Sequence, residues 1–135
     1  MSGTWDEPLP SFHDGSFDGV WIPGNSNAHF FLTTVDSKRF TIVLEGVTTL
    51  RLSNVREGNI IFNVSVLGTD QLTEDHIESA YELSDVNKNQ QVATLMASAR
   101  LEGLRMLEMT TSHGAEGIVL FKHLHVRDGW PVFNT

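Results

Sequence analysis

The chain has 135 residues and a mass of 15.0 kDa, enough for one packed domain, and its 40% hydrophobic and 19% charged residues belong to a globular rather than a disordered protein. It has no cysteine, which excludes disulfide frameworks, thiolate nucleophiles, Cys-type zinc sites and iron–sulfur clusters. Nine Lys and Arg against seventeen Asp and Glu give a net charge of −8. No basic cluster exceeds Lys38-Arg39, so neither nucleic acid nor an anionic membrane surface is expected as a partner.

Met1–Glu7 has neither the basic start nor the apolar run of a secretion signal, and no stretch approaches the ~18 apolar residues of a membrane span, so a cytoplasmic location is expected. Residues 1–16, punctuated by Pro8, Pro10 and Gly15, read as an extended N-terminal arm anchored by Trp5, Leu9 and Phe12. Strand signals follow at Phe17 to Ile22 and Ala28 to Val35. From Lys38 to Glu45, Phe40, Ile42 and Leu44 alternate with Arg39, Thr41 and Val43, the period of a strand with one dry face. Val47 to Ser53 is a fourth strand and Asn59 to Leu67 a fifth, with Ile60, Phe62, Val64 and Val66 assigned to one face and Ile61, Asn63, Ser65 and Leu67 to the other.

The period then changes. Thr73 is placed to cap a helix whose first turn holds Glu74 and Asp75 and whose apolar positions are Ile77, Ala80 and Tyr81. A second helix is predicted from Val86 to Leu101, with the stripe Val92, Leu95, Met96 and Ala99, and Gly103 as its stop. Leu104 to Thr110 and Ile118 to Arg127 return to strand, joined by a loop over Thr111–Gly117. In the last run Lys122 interrupts the apolar face of Ile118, Leu120, Leu124 and Val126. Gly129-Trp130-Pro131 ends the domain, and Val132-Phe133 in the tail 128–135 is a second docking anchor.

The expected fold is α+β: a single domain over 1–135, built as an antiparallel meander of about seven strands with two helices inserted between strands five and six. Phe31, Val43, Ile61, Leu67, Leu107 and Met109 are left on the opposite sheet face, as a second packed layer or an oligomer contact, and a curled sheet would use both.

Two groups of residues are candidates for function. Asp70, Glu74, Asp75, Glu78, Glu82 and Asp85 fall in a stretch with no Lys or Arg between Arg56 and Lys88, either a solvated helix face or a patch that steers a basic partner. His123 and His125, two apart on a strand, share a face at roughly 7 Å and could hold zinc or nickel with a third ligand from His13, Asp14 or His113. No nucleophile elbow or phosphate-cradling glycine loop is present, and adjacent pairs such as His13-Asp14 and Ser112-His113 rarely face each other, so catalysis has no positive support. The expected function is a non-enzymatic module that binds a protein partner or itself, through the acidic stretch or the second sheet face. The alternative is a small-ligand or metal-binding protein using the histidines.

The segments Phe12-His13-Asp14-Gly15, Leu44-Glu45-Gly46-Val47, Asn54-Val55-Arg56-Glu57-Gly58-Asn59-Ile60-Ile61 and Ser112-His113-Gly114-Ala115-Glu116 together resemble a group of small bacterial domains of unknown function. Similar chains of the immunity protein 50 type act as antidotes in polymorphic toxin systems. The resemblance spans about residues 12–127 and implies a β-rich fold and a bacterial cytoplasmic protein, and the acidic surface is compatible with it because such antidotes often meet basic nuclease toxins by charge complementarity. Its motifs are turn and strand residues, so it assigns no catalytic or binding side chain. Gly19-Val20-Trp21 resembles the Gly-x-Trp signature near the start of lipocalins, but a helical middle does not fit their eight-stranded calyx.

Overall fold

A computed structural model of the chain describes residues 9–56, 58–83, 88–113 and 115–131, the side chain of His113 excepted. Trp5, Val132-Phe133 and Asp85 lie outside the described residues. Eight strands form one antiparallel sheet, with two helices between the fifth strand and the sixth. The strands are β1 (Ser16–Gly24), β2 (Asn27–Thr33), β3 (Arg39–Glu45), β4 (Thr49–Ser53), β5 (Asn59–Leu67), β6 (Arg105–His113), β7 (Glu116–Phe121) and β8 (His123–Asp128). The helices are α1 (Glu74–Tyr81) and α2 (Lys88–Glu102).

The strand order β4-β7-β6-β5-β1-β2-β3-β8 replaces the expected seven-stranded meander. Only β1-β2, β2-β3, β5-β6 and β6-β7 are neighbours in both sequence and space; β3 pairs with β8, β4 with β7, and β1 with β5. The last predicted strand divides at Lys122 because its amide, donating to Glu45 O at 2.9 Å, belongs to a bulge facing Gly46. Across that bend the β3–β8 ladder runs on as the β4–β7 ladder, so two long bent strands link the halves β1-β2-β3-β8 and β4-β7-β6-β5. At the opposite corner β1 and β5 meet through Ser16↔Ile60 and Phe17↔Asn59.

The curled sheet encloses the main core. Phe30, Leu32, Ile42, Leu44, Ile61, Leu107, Met109, Val119 and Phe121 point into it from both halves. Three of the residues expected on a second face (Ile61, Leu107 and Met109) are therefore in the first core, while Leu67 packs beneath the helices. The helices form a separate layer, in which Ile77, Ala80, Val92, Met96 and Ala99 cover Met106 and Leu120 on the outside of β6 and β7.

Strand β5 departs from simple alternation. Between Ile61 and Asn63 it advances two residues while β6 advances one, from Thr111 to Thr110, so Phe62 is the extra residue of a bulge. The parity of inward positions flips there: Ile61 is fully buried, Val64 and Val66 line the core, and Phe62, predicted to be inside, is 60% exposed. Ile60 is exposed for the same reason.

Helix α1 starts where its cap predicts. Thr73 Oγ1 accepts the amide of His76 at 3.3 Å, and His76 Nδ1 in turn accepts the amide of Thr73 at 3.0 Å. Thr73→Ala is expected to lower stability by about 1 kcal/mol, measured by urea unfolding with an unchanged m-value.

Candidate functional site

The two halves of the sheet differ on the outside. Helices cover β6 and β7, and α1 also lies against β4, where Glu82 Oε1 meets Arg51 Nη1 at 2.9 Å. Neither described helix covers the outer face of β1-β2-β3-β8. Alternation along these strands places Trp21, His29, Phe31, Thr41, Val43, His125 and Arg127 together on that face, through the pairs Trp21↔His29, Phe31↔Thr41, His29↔Val43, Val43↔His125 and Thr41↔Arg127.

The chain after β8 returns across this face. Gly129 N donates to Arg39 O at 2.7 Å, and Thr41 Oγ1 donates to Gly129 O at 2.8 Å. This lays the Trp130 ring 6.1 Å from that of Phe31, with its indole N–H shared between Leu32 O at 3.3 Å and Phe40 O at 3.2 Å. Phe31 is only 7% exposed as a result. The guanidinium of Arg39 sits 4.3 Å above the Trp130 ring, a cation–π contact. On the far side Trp21, 46% exposed, stands edge-on to His29 at 5.1 Å. Between the two tryptophans lies a shallow cavity of about 260 Å³, floored by His29 and Thr41 and flanked by Arg127 and Asp128. Partial burial, and then the charge of Arg127, hold the His29 pKa below the usual imidazole value against an opposing pull from Glu45.

The five described acidic candidates, Asp70, Glu74, Asp75, Glu78 and Glu82, do not form one unpartnered patch. Glu78 pairs with Lys88 at 2.9 Å and Glu82 with Arg51 at the same distance. Glu74 and Asp75 occupy the first turn of α1, and Asp70 that of a short 3-10 turn (Thr69–Gln71), positions where a carboxylate meets the positive end of a helix.

The histidines separate into two regions. His13 Nδ1 bonds Phe62 O at 2.8 Å with its ring edge-on to Phe62, and the backbone of His113 pairs with Ile60 close by on β5. His123 and His125 lie on β8 in the other half, where His125 Nε2 bonds Glu45 Oε1 at 3.1 Å. Among the described residues no three His, Asp or Glu side chains converge as a zinc or nickel site would need.

Sequence reading offers the second sheet face as a contact but does not place Trp21, His29, Arg39 and Trp130 on that face. Its one visible trace was the pair Phe31 and Val43, apolar residues at the positions that ought to be wet. No helix among the described residues is long and apolar enough to cross a membrane. No family model, curated protein or solved structure matches the chain.

Proposed function

We propose that the protein is a non-enzymatic protein-interaction module whose contact is the helix-free outer face of β1-β2-β3-β8. One observation carries this reading. An exposed Trp21 and a Trp130 ring that carries Arg39 flank a cavity in which Arg127 has no carboxylate within ion-pair distance among the described residues, on a chain of net charge −8. Tryptophan and arginine dominate the energetics of protein contacts because they combine large apolar area with directed polar groups. An antidote-like role of the kind implied by the resemblance to immunity proteins is compatible with such a module. The acidic residues Glu74, Asp75, Glu78 and Glu82 serve α1 and its ion pairs in this reading, not the partner.

A partner retained from source-cell extract and then purified provides the test. Its affinity is expected to fall at least roughly tenfold for Trp21→Ala and for Arg127→Glu, as for a contact at the centre of an interface. The double variant Glu74→Gln/Asp75→Gln, on the opposite layer, is expected to bind as the native chain does. The reverse pattern would move the contact to the acidic stretch and defeat the reading.

A further inference from the structure

Each end of the sheet leaves a strand with one neighbour, and the two ends are treated differently. β4 is flanked by α1. Among the described residues β8 pairs with β3 alone, in unbroken register from Phe40↔Asp128 to Glu45↔His123. Since Gly129 N bonds Arg39 O, the backbone groups of Arg127, His125 and His123 are those that face β3, and alternation turns the N–H and C=O of Leu124, Val126 and Asp128 the other way. No described residue hydrogen-bonds to those outward groups. The unpaired edges near the β1–β5 corner are less regular: β1 carries two irregularities and Pro23, and β5 bulges at Phe62, devices that blunt an edge.

We propose that the β8 edge receives an extended, acidic segment of the partner protein as an added strand, with its alternate carboxylates beside Arg127 and the β8 imidazoles. This rests on the interaction-module reading and specifies its mode. Main-chain bonds to Leu124, Val126 and Asp128 supply affinity, and the side chains standing on the outer face beside the cavity select for charge. A second copy of this chain is the poorer occupant. Two β8 edges paired antiparallel about His125 would set Arg127 of each copy against His123 of the other, so neither strand would offer Arg127 a carboxylate across the ladder.

The probe is a fluorescein-labelled peptide of alternating glutamate and valine, followed by anisotropy, beside two controls: the same peptide with lysine for glutamate, and the same peptide N-methylated at alternate residues. Saturable binding of the first alone is expected, at least roughly tenfold tighter than either control. N-methylation removes main-chain donors and leaves the charge intact, so the native chain reports on the edge without any risk to its fold. Val126→Pro, which deletes an outward N–H and spares the β3 ladder, is expected to weaken binding to the same degree. Equal binding of the N-methylated peptide, or no binding of the acidic one, overturns the proposal, as does a concentration-dependent dimer that Val126→Pro dissociates. If the purified partner still responds to Trp21→Ala and Arg127→Glu but not to Val126→Pro, the edge is excluded and the interaction face stands.

Discussion

Gly15→Ala is expected to destabilise the protein by at least about 3 kcal/mol, with a fall in melting temperature of roughly 10 °C. A Cβ at this position would lie 2.2 Å from Thr33 O and 3.0 Å from Phe12 O, both backbone atoms that cannot rotate away as a side chain could. The same residue holds the corner where the halves of the sheet meet. Its carbonyl accepts the amide of Ile61 at 2.9 Å, its amide donates to Phe12 O at 2.8 Å, and the neighbouring Asp14 N donates to Ile61 O. A methyl group there must push β1 from β2 or break the junction with β5. Gly103→Ala supplies the contrast: φ is +68° and nothing lies within 4 Å of a Cβ, so only the left-handed conformation is penalised, by about 1 kcal/mol. Thermal denaturation of the two variants separates steric closure of the corner from general loss of glycine freedom. Equal small shifts would show that the corner yields.

The parts of this fold that the sequence displays are those set by neighbours in the chain. Phe40, Ile42 and Leu44 alternate with Arg39, Thr41, Val43 and Glu45 because β3 is regular, and all three reach the core. Thr73 followed by Glu74 and Asp75 marks the start of α1 because capping is satisfied within one turn. Where a bulge intervenes the alternation misleads: Phe62 looks like a core residue until the extra residue opposite Thr110 and Thr111 turns it outward. A bulge is decided by the partner strand, and β6 lies more than forty residues away. Closure of the sheet leaves only the polar Lys122 in an apolar run as its mark. The candidate site was still less legible. Trp130 reaches Phe31 only because Gly129 folds back on Arg39, and the acidic stretch shows no cation in sequence because Arg51, the partner of Glu82, arrives from β4. Two histidines on one strand announce a shared face, but a third ligand depends on strand order, which local pattern does not encode.

Asn59 presents the other large expectation, since it replaces a piece of backbone pairing at the same corner. Its side chain is 4% exposed. Oδ1 accepts the amides of Arg56 and Ala115, each at 3.0 Å, while Nδ2 donates to Phe17 O at 3.4 Å and to Arg56 O. One amide thus ties β1, the turn before β5 and the β6–β7 connection together. Asn59→Ala strands these groups where water does not readily replace the partner, and a loss of about 3 kcal/mol is expected from urea unfolding. Asn59→Asp distinguishes hydrogen bonding from packing, because its volume is nearly the same. The ionised carboxylate keeps both acceptor roles but faces the carbonyls of Phe17 and Arg56 without a donor, so folding favours its protonated form and raises its pKa above the unfolded value of about 4. The native state then holds more protons than the unfolded one, and stability relative to the native chain falls as pH rises from about 4 towards the raised pKa. Asn59→Asp is expected to unfold at clearly lower urea at pH 7 than at pH 4.5 when each value is referenced to the native chain at that pH. A difference that does not change with pH would assign the role of Asn59 to shape alone.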